Sequence, residues 1–154
     1  LVGRFGGEMP SLVAPLLALA EEETDHVRQV EARLRERGGS LGMPRADEYV
    51  VQLRRDARGD RSDTPALLDR LLVSALVEAR SCERFRLLSE RLRDGALRGF
   101  YHELMASEAQ HYRLFARLAE ERFGVAAARE RAATLAAREA KVASRLPLGA
   151  TVHG

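Results

Sequence analysis

The chain has 154 residues, 45% of them apolar, and 25 Lys and Arg against 23 Asp and Glu. That is enough apolar material for a buried core, and one domain spanning residues 1 to 154 is the expectation for this length. No apolar run approaches the ~20 residues needed to span a bilayer, nothing at the start resembles a secretory signal, and the single Cys82 excludes an intrachain disulfide. A protein of the cytoplasm without membrane partners is therefore expected.

Ala, Leu, Arg and Glu dominate, and no alternating run of β-branched residues argues for a sheet, so the fold class is all-α. Residues 1 to 10 close one element and turn through Gly3, Gly6, Gly7 and Pro10. A helix follows from about 11 to 37, stopped by Gly38-Gly39. A connection with Pro44 and a short helical piece near 46 to 57 leads to Asp63-Thr64-Pro65, which suits a helix start. The next helix runs to about 92, another from about 95 to 122, and after Gly124 an amphipathic helix covers about 125 to 145. Leu146-Pro147-Leu148-Gly149 begins a tail.

Three of these helices carry polar residues inside apolar stripes. The first stripe is Leu12, Leu16, Leu19, Glu23, His26 and Val30. The next is Leu68, Leu71, Ala75, Glu78, Cys82, Phe85 and Leu92, with Ser89 interrupting it beside Leu88. The last is Leu97, Tyr101, Leu104, Glu108, His111, Phe115 and Leu118. Steps of four and three residues keep one face of a helix toward a core. An ionised carboxylate buried there without a partner costs several kcal/mol. Three segments with this problem suggest a shared cation.

Glu23 with His26 and Glu108 with His111 repeat a Glu-x-x-His step, which lets one helix offer an oxygen and a nitrogen ligand to the same metal. Helical bundles that hold two metals use this step twice, with one further Glu from each of two other helices. Glu78 supplies one of these. If helices three and four turn near Asp94-Gly95, Glu108 and His111 lie level with residues 77 to 80, whereas Glu83 falls about 7 Å too near the turn. Glu83, close to Arg80, Arg84 and Arg86, reads instead as a surface ion-pair residue. Carboxylates and imidazoles without thiolate favour iron that can meet dioxygen over structural zinc.

Arg45, Arg54, Arg55, Arg58 and Arg61 gather in the long connection between helices two and three. Guanidinium groups recognise phosphates, so Arg54, Arg55 and Arg58 are candidates to bind a phosphate-bearing substrate; from composition alone a solvated connecting segment is the simpler account. That connection has roughly 25 residues. Its length suits a bundle in which the two flanking helices run parallel.

The run Leu76-Val77-Glu78-Ala79-Arg80-Ser81-Cys82-Glu83-Arg84-Phe85, then Phe100-Tyr101 and Ser107-Glu108-Ala109-Gln110-His111-Tyr112, closely resembles the bacterial tRNA 2-methylthio-N6-isopentenyladenosine hydroxylases. Leu19-Ala20-Glu21-Glu22-Glu23, ending at His26, resembles their second-helix motif, and His153-Gly154 is a fainter echo of their C-terminus. The resemblance implies a ferritin-like four-helix bundle with an extra C-terminal helix. It also implies a non-haem di-iron monooxygenase that hydroxylates the isopentenyl side chain of a tRNA adenosine, using O2 and electrons from a reductase. Glu23, His26, Glu78, Glu108 and His111 would be the metal ligands, with no catalytic residue beyond them. Cys82, Tyr101 and Phe115 would either line a prenyl channel or be ordinary core.

The same depth argument places the first-helix Glu about eleven residues before Leu1. The chain is thus expected to lack most of that helix, to hold five of six protein ligands and to load iron incompletely. Two other readings stay open: a rubrerythrin-like or ferritin-like di-iron oxidase or peroxidase without RNA, and a metal-free helical interaction module.

Overall fold

The computed structural model of the chain describes residues 1–43, 45–59 and 65–146. Every element among them is helical, and none of the helices is long and apolar enough to cross a membrane. The chain divides into two compact units, Leu1–Ala46 and Asp47–Gly154. Pro44, Arg61, the Asp63-Thr64 helix start and the tail with His153 lie outside the described residues.

In the first unit a short helix α1 (Val2–Phe5) closes at Gly6, whose N–H donates to the Val2 carbonyl. A 3-10 turn at Pro10–Leu12 leads into α2 (Val13–Glu36). Pro10 belongs there, because the first helical position has no carbonyl partner for an N–H. Gly38 ends α2 with a φ of +74°; its N–H donates to Arg35 O and that of Gly39 to Leu34 O. These two bonds satisfy carbonyls the helix leaves open, and glycine accepts the left-handed conformation they need. Phe5, Met9, Leu12 and Leu16 are buried. The expected stripe fades toward its end: Val30 is exposed.

The second unit holds α3 (Glu48–Gly59), α4 (Ala66–Arg91), α5 (Gly95–Phe123) and α6 (Val125–Arg145). α3 begins two residues later than the spacing predicts, because Asp47 caps it, its Oδ1 accepting from Val50 N at 3.1 Å, and it ends at Gly59, also two residues later. α4 starts just after Pro65 rather than with it.

Asp94 sets the turn between α4 and α5, its Oδ1 accepting from Ala96 N at 2.9 Å and Leu97 N at 3.1 Å. Moving away from that turn, Phe85 meets Tyr101, Cys82 meets Met105 and Glu78 meets His111. The two helices therefore run antiparallel, in the register the depth argument assumed.

α6 follows α5 after the single residue Gly124, at φ +84°. It ties α3 to α4. Arg131, which is buried, grips Asp69 of α4 with Nε–Oδ1 at 2.7 Å and Nη2–Oδ2 at 3.1 Å, and reaches Ala57 O of α3. Arg138 donates to Asp56 O at 3.0 Å. Tyr49 of α3 donates to Glu139 at 3.0 Å, and Arg80 of α4 pairs with the same carboxylate. Tyr49, Leu53 and Ala57 form an i, i+4, i+8 line that is almost completely buried.

Candidate metal centre

α4 and α5 bring Glu78, Glu108 and His111 together. One ligand atom from each lies within 4.8 Å of the others. His111 Nδ1 stands 3.9 Å from Glu78 Oε2 and 3.9 Å from Glu108 Oε2. The side chains of His111, Glu108 and Glu78 retain only 3%, 7% and 14% of their exposure. That burial would penalise two carboxylates facing each other in the absence of positive charge.

The 3.9 Å spacing is too long for a hydrogen bond. The donor set is hard oxygen plus imidazole, with no thiolate, which fits iron. Glu78, Glu108 and His111 therefore fit the group that the family resemblance implies.

On the far side of the His111 ring, Nε2 lies 3.3 Å from Ser107 Oγ. When Nδ1 faces a metal, Nε2 carries the proton and donates to this hydroxyl, which fixes the tautomer and the ring plane. Ser107 was not singled out as a site residue from the sequence. Its signal was there, four residues before His111 and hence on the same face of α5.

In the first unit, α2 carries the second Glu-x-x-His step. His26 Nδ1 lies 3.4 Å from Glu23 Oε2, with the imidazole 15% and the carboxylate 41% exposed. The pair lies on one face of α2, as the spacing requires. Glu83, the rejected rival of Glu78, is half exposed and pairs with Arg80 at 2.7 Å.

Around the cluster, Cys82 donates from Sγ to Met105 O at 3.6 Å. Burial, followed by the negative charge of Glu108, pushes its thiol up from the ordinary range. Tyr101 packs between Phe85 and Phe100, at ring separations of 5.6 and 5.3 Å, and Phe115 is buried core. Tyr112 is exposed. Arg54, Arg55 and Arg58 all occupy exposed positions of α3, and Arg54 and Arg58 share one face.

The tRNA-(MS[2]IO[6]A)-hydroxylase (MiaE) family model matches residues 1–153. The tRNA 2-(methylsulfanyl)-N(6)-isopentenyladenosine(37) hydroxylase of Pseudomonas putida is 42% identical over 119 residues, 77% of this chain and 56% of that protein. The enzyme of the same name from Salmonella typhimurium is 34% identical over 110 residues, 71% of this chain and 40% of that protein. The chain thus spans about half the length of the curated relatives it matches.

Among solved structures, Protein 43 with aldehyde deformylating oxygenase activity from Synechococcus superimposes with a TM-score of 0.81 at 35% identity, over 94% of this chain and 70% of that one. This likeness shows the all-α, ferritin-like fold. With its fold, its paired Glu-x-x-His steps and a family match along nearly its whole length, the chain belongs to the tRNA-(MS[2]IO[6]A)-hydroxylase (MiaE) family.

Proposed function

We propose that the chain is the ligand-bearing part of a non-haem di-iron monooxygenase that hydroxylates the isopentenyl side chain of 2-methylthio-N6-isopentenyladenosine in tRNA. The observation that carries this reading is the buried Glu78–Glu108–His111 cluster in a chain of this family. Family membership favours an RNA substrate over an oxidase or peroxidase without one.

In this reading Glu78, Glu108 and His111 are metal ligands, and Glu23 and His26 of α2 are proposed as further ones. Bound there, a pair of irons would supply the oxidising power to insert oxygen into an allylic C–H bond. One oxygen atom of O2 enters the product as the alcohol, and the other leaves as water with two electrons and two protons from an external donor, a reductase. Ser107 holds the His111 ring, and burial of the carboxylates keeps water from competing at the reacting carbon. Arg54, Arg55 and Arg58 contact tRNA phosphates. A tRNA substrate places the protein in the cytoplasm.

The test is iron per chain after anaerobic addition of Fe(II), followed by nucleoside analysis of prenylated tRNA incubated with O2 and a reductant. Bound iron and a new hydroxylated nucleoside are expected from the chain, and neither from Glu108→Ala or His111→Ala. Equal iron content in the parent and both variants would remove the site.

A further inference from the structure

The α4–α5 hairpin carries a second feature that the metal centre does not use. On its outer side lies an open groove of about 600 Å³, floored by Gly95, Gly99 and Met105 and edged by Arg86, Arg98 and His102. Its surface is mostly apolar, and Arg86, Arg98 and the carboxylate of Glu90 bring the formal charges to its lining. Arg86 is held by Glu90 at 3.3 Å. Arg98 and His102 are exposed, and neither side chain makes a hydrogen bond or ion pair among the described residues.

An apolar surface beside a guanidinium and an imidazole that are not engaged elsewhere is the chemistry that seats a nucleotide, with the base against the apolar part and the phosphate on Arg98. The glycines create that floor. A Cβ at Gly99 would meet nothing within 4 Å, and one at Gly95 would meet only the end of the Arg98 side chain, so packing alone does not require either glycine. The groove is also close to the chemistry. Met105 forms part of it, accepts the Cys82 thiol, and stands one helical turn, about 5 Å of rise, from Glu108.

We infer that this groove holds a nucleotide of the substrate RNA next to the one presented to the metal centre, with Arg98 and His102 on its phosphate. The inference rests on the RNA-hydroxylase reading and adds a position to it. In this arrangement the arginines of α3 hold the RNA at a distance while the hairpin groove sets which nucleotide is delivered.

The probe is a fluorescently labelled RNA hairpin with a seven-nucleotide loop, titrated with the chain at several salt concentrations. Arg98→Glu is expected to weaken binding roughly ten-fold and to reduce the slope of log affinity against log salt by about 0.7, the value of one single-stranded phosphate contact. Gly99→Leu, whose Cβ enters open space, puts an apolar side chain into the groove and is expected to weaken binding with no change in slope. Circular dichroism identical to the parent establishes that both variants fold.

If the parent binds the hairpin and both variants bind it equally well, the groove assignment falls while the RNA reading stands. If the parent shows no salt-dependent binding at all, both fall. If Arg98→Glu leaves RNA affinity intact but slows reduction by the electron donor, the groove belongs to an acidic protein partner and the inference is overturned.

Discussion

Tyr49 is 1% exposed, and its hydroxyl is committed to Glu139. Burial, then the charge of Glu139, pushes the phenol far above its ordinary value of 10.0. The neutral form is thus favoured in the folded state, so the stability it contributes is complete below pH 10 and is lost as the pH rises above that. Cys82, raised from 9.0, acts with the same sign. Tyr49→Phe is expected to lower stability at pH 7 by about 1 kcal/mol, the net worth of one hydrogen bond, and to flatten the alkaline limb of a chemical-denaturation series between pH 9 and 11. An unchanged alkaline limb would show that Tyr49 does not titrate with unfolding. Residues such as Glu78 and His111 were legible in the sequence because a helix repeats locally: a polar group that keeps a 4-3 step is aimed inward before any neighbour is known. Tyr49 and Glu139 were not, because they stand 90 positions apart and nothing local marks either as a partner.

At the scale of the elements, helix ends were legible wherever a short-range device sets them. Gly38-Gly39 and Gly124 each stop a helix by their own backbone freedom, and Asp94 turns the hairpin with its own carboxylate. What joins one helix to another was not legible. The clasp of Arg131 on Asp69 spans 62 residues and ties α6 to α4, as the pair of Arg80 and Glu139 also does. Its side chains are 9% and 17% exposed, so Arg131→Met leaves a poorly solvated carboxylate behind. The expected cost is about 3–5 kcal/mol in urea denaturation. The double change Asp69→Leu with Arg131→Met should restore much of that loss, because the uncompensated charge is gone. Failure of the double variant to recover would mean that the bond from Arg131 to Ala57 O, rather than the ion pair, holds α3 in place.

At the scale of the molecule, a formal net charge of only +2 gives little general attraction for a polyanion, so affinity for the RNA we propose as substrate has to come from where the arginines stand. The fold fixes that through α6 and α3, neither of which carries a residue of the candidate metal centre. α5 bears Glu108 and His111, α6 grips the carbonyls at the end of α3, and α3 displays Arg54, Arg55 and Arg58. One amino acid stands between the first two of these rods. Gly124 makes its corner in a conformation that L side chains resist by about 1–3 kcal/mol, and a Cβ there would meet open space, so Gly124→Ala would add backbone strain without a clash. Relief of that strain would swivel α6 and, through Arg131 and Arg138, carry along Arg54, Arg55 and Arg58, the arginines we propose to contact RNA. A protein that still takes up iron yet delivers oxygen to the wrong carbon, or to none, is the phenotype this pivot predicts, and product analysis of Gly124→Ala beside its iron content would reveal it.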